Sequence, residues 1–192
     1  VMIAEYFPET NYSDIMSSHY EREKALEKGM YAFVSWEWVN PLSEWLDESR
    51  CLEVMAGRGW LTYALRQKGM NVIATDDYSW HTKMKWGEPV TPVEKLDAVG
   101  SVQMYGKAID VLIMSWPYMD STAHDTIKTL HEVNPDAVVV YIGESYGGCT
   151  ADDSFFEHFE RIKNDVYFNA ASNRFSSFRG INDQLMLGRY KF

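Results

Sequence analysis

The sequence predicts a Rossmann-like α/β fold, in which a mostly parallel sheet is covered by helices on both faces. Three observations predict it. From residue 51 onward, short apolar runs alternate with segments of helical spacing. The apolar runs contain few polar residues, which is typical of strands buried on both faces. The first run ends in a glycine turn that leads directly into a helical segment, as in nucleotide-binding α/β folds.

The N-terminal part of the chain has a different pattern from the rest. Residues 1–49 are predicted to form a helical segment, and residues 50–192 are predicted to form the α/β domain. Residues 31–38 are rich in aromatic side chains and precede the first predicted strand. We expect this stretch either to cover the ligand as a lid or to pack beneath the domain.

Two helices are predicted within that segment. A charged stretch follows Ser17 and Ser18, either of which suits an N-cap, and it ends at Gly29. A second helix is predicted to begin at Asn40-Pro41, because asparagine is a good N-cap and proline suits the first helical position.

The remaining elements follow from the alternation of apolar runs and helical spacing. The predicted strands are 51–55, 71–75, 109–114, 137–143, 165–169 and 184–191. The predicted helices are 60–68, 122–131 and 155–162, with a further helix and a short strand within 92–104. The carboxyl ends of parallel strands form the ligand site in such folds, so we expect it at 53–60, 76–77, 97–98 and 115–118.

Length and charge limit the classes of protein. A chain of 192 residues is long enough for one domain with a substantial core. The net charge of −10 disfavours nucleic acid as a partner, because proteins that bind a phosphate backbone usually carry a basic face. A small-molecule or peptide-like partner is predicted instead. The oligomeric state does not follow from the sequence.

The cysteines and histidines show no metal-ligand spacing. Cys51 and Cys149 are far apart, and the five histidines form no HxxxH pair, so no metal site is predicted. No apolar run approaches the ~20 residues that cross a membrane. The first residues do not resemble a signal peptide, and the sequence therefore predicts a cytoplasmic protein without a membrane contact.

The glycine turn after the first predicted strand carries the strongest functional signal. Gly57 and Gly59 allow close approach of a ligand to the backbone, and the amides of the following helix face the same space. Asp76 ends the next strand and can accept hydrogen bonds from ribose hydroxyls. Thr62 occupies the third glycine position of a dinucleotide fingerprint, and Glu53 would repel a pyrophosphate but attract a cationic ligand. The residues therefore favour S-adenosylmethionine (SAM) over NAD.

Residues 53–59 resemble the first motif of the class I SAM-dependent methyltransferases, which is usually an acid followed by spaced glycines. The resemblance extends from about residue 50 to the last residue and implies a seven-stranded sheet. It implies that the methionine part of SAM lies at the turn, that Asp76 holds the ribose, and that Asp97-Ala98 meets the adenine. The residues predicted to bind the cofactor are Glu53, Ala56, Gly57, Gly59, Asp76, Asp97, Ala98 and Ser115.

The sequence departs from that motif at one position. Met55 stands where the family usually has its first glycine. A side chain at this position is expected to narrow the cofactor site or to bend the turn. Met55 therefore motivates an alternative in which the protein binds SAM without transferring its methyl group.

The turn Ser115-Trp116-Pro117-Tyr118 resembles the fourth motif of the amino-methyltransferases, with Trp116 at the first proline position. The resemblance implies that Ser115 accepts a hydrogen bond from a target amine and that Tyr118 stacks on a planar substrate. Both residues are predicted to be catalytic. The same residues also fit an aromatic turn that only closes a strand.

Glu144 follows the clearest buried strand, in the run Gly143-Glu144-Ser145-Tyr146-Gly147-Gly148-Cys149-Thr150. Together with Trp-Pro-Tyr, this run resembles a group of small methyltransferase-like proteins. Glu144 is predicted to be a general base or a substrate anchor. The alternative is a carboxylate that is satisfied by loop amides.

The sequence therefore predicts a SAM-dependent methyltransferase that acts on a small or peptide-like acceptor, with nitrogen as the favoured acceptor atom. A non-catalytic protein that binds SAM or S-adenosylhomocysteine is the alternative. An NAD-dependent oxidoreductase is less well supported, because the dinucleotide fingerprint is incomplete.

Overall fold

A computed structural model describes residues 1–9 and 14–192. Within these residues, seven strands form one sheet with the order β3-β2-β1-β4-β5-β7-β6. The strands are β1 Arg50–Val54, β2 Asn71–Asp76, β3 Glu94–Lys95, β4 Val111–Ser115, β5 Val138–Gly143, β6 Phe159–Arg161 and β7 Gln184–Tyr190. The helices are α1 Ile15–Glu27, α2 Trp36–Leu46, α3 Trp60–Gln67, α4 Ala98–Tyr105, α5 Thr122–Val133, α6 Asp153–His158 and α7 Val166–Ser172. Short 3₁₀ helices span Ser79–Thr82 and Gly106–Ala108.

The sheet is mostly parallel, as predicted. Strands β3, β2, β1, β4 and β5 pair in parallel, whereas β7 pairs antiparallel with both β5 and β6. The strand order reverses beside β1, since β2 lies on one side of it and β4 on the other. In open α/β sheets, ligands bind outside the carboxyl ends of the strands at such a switch point.

Helices bury both faces of the sheet. Successive residues of a strand point to opposite faces, and Cys51 and Leu52 accordingly belong to different buried clusters. The first cluster joins the sheet to α2, α3 and α7, and the second joins it to α4, α5 and α6. Each face of the sheet is thus covered by its own set of apolar side chains.

Both N-terminal helices begin earlier than predicted. The α1 helix starts at Ile15, where the Asp14 side chain accepts a hydrogen bond from the Met16 amide, so neither Ser17 nor Ser18 is the N-cap. The α2 helix starts at Trp36, and the Asn40-Pro41 boundary is wrong.

The early start of α2 depends on a distant segment. The amides of Trp36 and Glu37 donate to the carbonyl oxygens of Ala4 and Glu5, at 2.9 and 3.0 Å. These bonds satisfy two of the amides that a helix N-terminus leaves without partners. Pro41 consequently lies inside the helix rather than at its start.

Two predictions near the C-terminus are also wrong. The predicted helix 155–162 is shorter, because α6 ends at His158 and Phe159–Arg161 pair with β7 as a strand. The predicted strand 165–169 is instead the start of α7. The Asp165 side chain accepts from the Phe168 amide at 2.9 Å and caps that helix.

The described part of residues 1–49 shares the core of the α/β domain. Trp38 and Leu42 of α2 belong to the same buried cluster as Ile113 of β4. Among the described helices, none is both long and apolar enough to span a membrane.

Candidate functional site

A cavity of about 430 Å³ lies at the carboxyl ends of β1, β2 and β4. That volume is within the usual range for small-ligand sites. We call the residues at the strand ends the inner wall: Glu53, Met55, Ala56, Gly57, Asp76 and Ser115. We call a second set of lining residues the outer wall: Met30, Tyr31, Met84, Trp86, Trp116 and Tyr118.

The glycines of the turn after β1 have different roles. Gly57 has a φ of +57°, and a methyl group on its Cα would meet no atom within 4 Å. Gly59 has a φ of +79°, and a methyl group there would lie 2.9 Å from the side chains of Thr91 and Val93. Gly57 therefore leaves space in the cavity, whereas Gly59 permits close packing behind the turn.

Glu53 stabilises the start of α3. Gly59 is the N-cap of this helix and has no side chain to offer its amides. The Glu53 carboxylate instead accepts hydrogen bonds from the Thr62 amide, at 3.1 Å, and from the Thr62 hydroxyl. Burial raises the pKa of Glu53 to about 7, although the bonds from Thr62 offset part of the rise. Glu53 thus titrates near neutral pH on the inner wall.

Asp76 connects the glycine turn to the segment after β2. Its Oδ2 accepts from the Gly57 amide at 2.7 Å. Its Oδ1 accepts from the Tyr78 amide at 2.7 Å and from Trp80 Nε1 at 3.0 Å. Burial raises the pKa of Asp76, and these hydrogen bonds oppose the rise. A carboxylate has about four acceptor positions, so Asp76 keeps one for a ligand hydroxyl.

Met55 adopts a conformation that favours glycine. Its φ is +53°, in the left-handed region, and it lines the cavity. A non-glycine residue in this region costs about 1–2 kcal/mol. The backbone thus takes the shape that the glycine of the methyltransferase motif would allow, while the Met55 side chain remains on the inner wall.

Arg58 attaches two of the three segments of the outer wall to the glycine turn. Its guanidinium donates to the Lys28 carbonyl at 2.9 Å and, through two nitrogens, to the Glu88 carbonyl at 2.9 and 3.0 Å. Trp60 Nε1 also donates to the Lys28 carbonyl, at 2.8 Å. Lys28 precedes Met30 and Tyr31, and Glu88 follows Met84 and Trp86, so one side chain fixes both segments.

The turn after β4 places two predicted residues, Ser115 and Tyr118, at the cavity together with Trp116. Trp116 has a φ of +52°, and its Nε1 donates to Asp183 Oδ2 at 3.0 Å. Tyr118 is about half exposed, and its hydroxyl lies 3.2 Å from the Ser79 hydroxyl. The structure therefore brings Ser115 and Tyr118 to the same cavity as Glu53 and Asp76.

Asp97 and Ala98 do not line this cavity. The Asp97 side chain is the N-cap of α4 and accepts from the Gly100 amide at 2.8 Å. Ala98 is buried in the second core cluster. These contacts give both residues a structural role and do not support the predicted contact with adenine.

Glu144 is also outside the residues that line the cavity. Its two carboxylate oxygens accept from the Cys149 amide, at 2.7 Å, and from the Asn182 amide, at 3.0 Å. The bond from Asn182 is the main reason that the pKa of Glu144 is lowered. A carboxylate that is engaged in this way is a poor general base, so the structure favours the alternative of a carboxylate held by loop amides.

Replacing Glu144 with glutamine is expected to destabilise the fold by about 2 kcal/mol at pH 7, because one charge-assisted acceptor is lost. Since folding lowers the pKa of Glu144, its contribution is present above the ordinary carboxyl pKa and declines as the pH falls through the lowered value. The difference between the two proteins should therefore shrink in acid. Urea denaturation at pH 7 and pH 3.5 measures it, with the exposed Glu157→Gln as the matched control. Loss of activity with unchanged stability would instead support the predicted role of Glu144 as a general base or substrate anchor.

Several lining residues were not predicted. Met30, Met84, Trp86 and Cys149 reach the cavity from segments that precede α2, follow β2 and follow β5. Their only signal in the sequence is an aromatic or sulfur-containing side chain in a loop. In the described part of the chain, no group of three or more histidine, cysteine or acidic side chains is arranged to hold a metal ion.

The sheet order and the cavity together define a Rossmann-like domain with a cavity at the switch point. Two solved structures have similar folds with a TM-score of 0.51. The first is a TehB-like SAM-dependent methyltransferase from Corynebacterium glutamicum, at 13% identity over 94% of this chain and 100% of that one. The second is 1,6-didemethyltoxoflavin-N1-methyltransferase from Burkholderia thailandensis, at 16% identity over 97% and 93% of the two chains. No protein-family model and no curated protein matches the sequence.

This chain therefore has the fold of the class I SAM-dependent methyltransferases. The likeness covers the N-terminal segment as well as the α/β domain, because it extends over more than nine tenths of the chain.

Proposed function

We propose that this protein binds SAM in the cavity and transfers its methyl group to a small or peptide-like acceptor. One observation carries the proposal. Two buried carboxylates, Glu53 and Asp76, border the open space beside Gly57, at the switch point of a class I methyltransferase fold. A cationic ligand with a ribose suits this pair, whereas a pyrophosphate does not.

The inner wall offers positions for the methionine and ribose parts of the cofactor. The methionine part is proposed to lie along Ala56 and Gly57, with Glu53 opposite its positive charge. Gly59, which was also predicted to bind the cofactor, is not among the lining residues and packs behind the turn. Asp76 is proposed to accept one ribose hydroxyl with its remaining acceptor position. Bound SAM would supply an electrophilic methyl group.

The protein's own part in the transfer is to position the acceptor and to exclude water. Ser115 is proposed to accept a hydrogen bond from an acceptor amine, and Tyr118 to pack against the acceptor. Nitrogen is the proposed acceptor atom. Within the N-terminal segment, the stretch at Met30 and Tyr31 is proposed to act as a lid, because both residues belong to the outer wall.

Calorimetric titration with SAM, S-adenosylhomocysteine and NAD tests the cofactor. Both adenosyl ligands are expected to bind with dissociation constants in the micromolar range, and NAD is expected to bind at least a hundredfold more weakly. Glu53 and Thr62 provide the physical reason, since an acid and a buried side chain occupy positions that a dinucleotide would need. Failure of both adenosyl ligands to bind below a millimolar concentration would contradict the proposal.

The conformation of Met55 keeps a non-catalytic SAM-binding protein as the second candidate, because its side chain lies on the inner wall. Tyr118→Ala separates the two functions. If the protein is an enzyme, this variant should lose transfer and keep its affinity for SAM, because Tyr118 lies on the outer wall. The exposed Tyr167→Ala is the matched control. A wild-type protein that binds SAM and methylates no acceptor would favour the second candidate.

A further inference from the structure

The outer wall is aromatic and rich in sulfur. Its six residues comprise two tryptophans, two tyrosines and two methionines. The rings contact one another: the Tyr31 ring centroid lies 5.6 Å from that of Trp116 and 5.9 Å from that of Trp86. Such a surface suits a flat, weakly polar molecule.

Trp116 is held rigidly in that wall. Its amide donates to the Ile142 carbonyl at 2.7 Å, and its indole N–H donates to the carboxylate of Asp183, which is 5% exposed. The positive φ of Trp116 is an unfavourable conformation that these contacts maintain. Strained residues of this kind concentrate at ligand sites. The indole ring of Trp116 therefore has a fixed position in the cavity wall.

The outer wall provides no base. Apart from Glu53 and Asp76, the ionisable side chains among the described lining residues are Tyr31, Lys83, Tyr118 and Cys149. Burial raises the pKa of Tyr31, which keeps its hydroxyl protonated. Glu144 is bound by two amides and lies elsewhere. Glu53 and Asp76 are both assigned to the cofactor, so among the described lining residues a hydroxyl or thiol acceptor would have no further carboxylate and no imidazole to remove its proton before attack.

The aromatic rings favour a positive charge. Methyl transfer moves the charge of a sulfonium onto the acceptor atom when that atom is neutral. The faces of Tyr31, Trp86 and Trp116 attract a cation through their ring quadrupoles. The wall is thus complementary to a nitrogen that becomes cationic as the methyl group arrives.

We infer that the acceptor is a planar aromatic heterocycle that is methylated on a neutral nitrogen. This inference rests on the proposed function. The nitrogen lone pair forms the new bond to the methyl carbon, the carbon–sulfur bond breaks, and its electron pair stays on sulfur, which becomes a neutral thioether. A ring nitrogen without hydrogen then keeps the positive charge, and a nitrogen with hydrogen loses a proton to water.

Three bicyclic probes of similar size test the nucleophile: isoquinoline, 2-naphthol and 2-naphthylmethanethiol, of which the last two are mostly protonated at pH 8. Each is incubated with the protein and methyl-labelled SAM at pH 8, and products are quantified by mass spectrometry. We expect isoquinoline to be methylated at least tenfold faster than the other two. Preferred transfer to the naphthol or the thiol, or transfer to none of the three while SAM binds, would overturn the inference. Failure of SAM itself to bind would refute the proposed function instead.

Two variants of Trp116 test the wall. Trp116→Leu removes the aromatic face and is expected to raise the KM for isoquinoline about tenfold. Trp116→Phe keeps a ring and should remain within about threefold of the natural protein. Both should bind SAM with unchanged affinity by calorimetry, which shows that they fold. An equal rise in KM for the two variants would overturn the role of the aromatic face.

Discussion

Replacing Asp76 with alanine is expected to lower the free energy of unfolding by about 3 kcal/mol, because three buried donors lose their acceptor. The donors are the amides of Gly57 and Tyr78 and the indole N–H of Trp80. The same change should weaken the binding of SAM by about 2 kcal/mol, or roughly thirtyfold in Kd. The glycine turn would lose the hydrogen bond that supports it, and the ribose would lose its acceptor. Chemical denaturation and calorimetry measure the two effects.

The neighbouring acid provides the control. Asp77 is exposed, and its side chain accepts only a local bond from the Ser79 amide at 2.8 Å. Asp77→Ala should change the unfolding free energy by less than about 1 kcal/mol and leave the affinity for SAM unchanged. If Asp76→Ala does not fold, Asp76→Asn keeps one acceptor oxygen and the same volume. If a folded Asp76 variant binds SAM with an affinity within twofold of that of the natural protein, Asp76 does not contact the cofactor.

Glu53→Gln is expected to change how stability depends on pH. Folding raises the pKa of Glu53 to about 7, from about 4.3 in an unfolded chain. The buried carboxyl group therefore favours the fold fully below about pH 4, and this contribution is lost as the pH rises through 7. The loss amounts to about 3 kcal/mol. Urea denaturation between pH 4 and 8 should show this decline in the natural protein and a flatter profile in Glu53→Gln.

The affinity for a cationic ligand should change with pH in the opposite direction to the stability. Bound SAM favours the ionised form of Glu53, so its affinity should rise between pH 6 and 8, with little change for Glu53→Gln. S-adenosylhomocysteine lacks the sulfonium and should show a smaller rise. Glu132→Gln, on the exposed surface of α5, is the matched control. Parallel pH profiles for the natural protein and Glu53→Gln would contradict the position assigned to Glu53 beside the ligand.

The sequence predicted the elements around the glycine turn correctly, because the signals there are local. An apolar run, two glycines and an acid at the next strand end lie within the 26 residues 51–76, and the structure keeps that order as β1, α3 and β2. Turn chemistry and burial act on neighbouring residues, so they can be recognised without knowing the fold. The parallel sheet follows from the same local patterns.

The failures occurred where the partner is distant in sequence. The α2 helix begins at Trp36 because the carbonyl oxygens of Ala4 and Glu5 accept hydrogen bonds from its first amides. The Glu144 carboxylate is engaged because it accepts a hydrogen bond from the Asn182 amide. Neither contact can be inferred from the spacing of residues along the sequence. The predicted strand at 165–169 is a different case. The cap signal of Asp165 was present, but the following residues favour strands, and the side-chain bond to the Phe168 amide outweighs that preference.

The position of β7 has a consequence for how the chain is made. Residues 184–190 form β7, which lies between β5 and β6. Until this segment has been synthesised, β6 has no strand to pair with and β5 is paired only with β4. Until then, the apolar strand Val138–Gly143 has one open edge with unpaired amides and carbonyls. Such an edge invites pairing with another nascent chain. Aggregation on the ribosome should therefore compete with folding until residue 190 emerges, after almost all of the cavity residues are already in place.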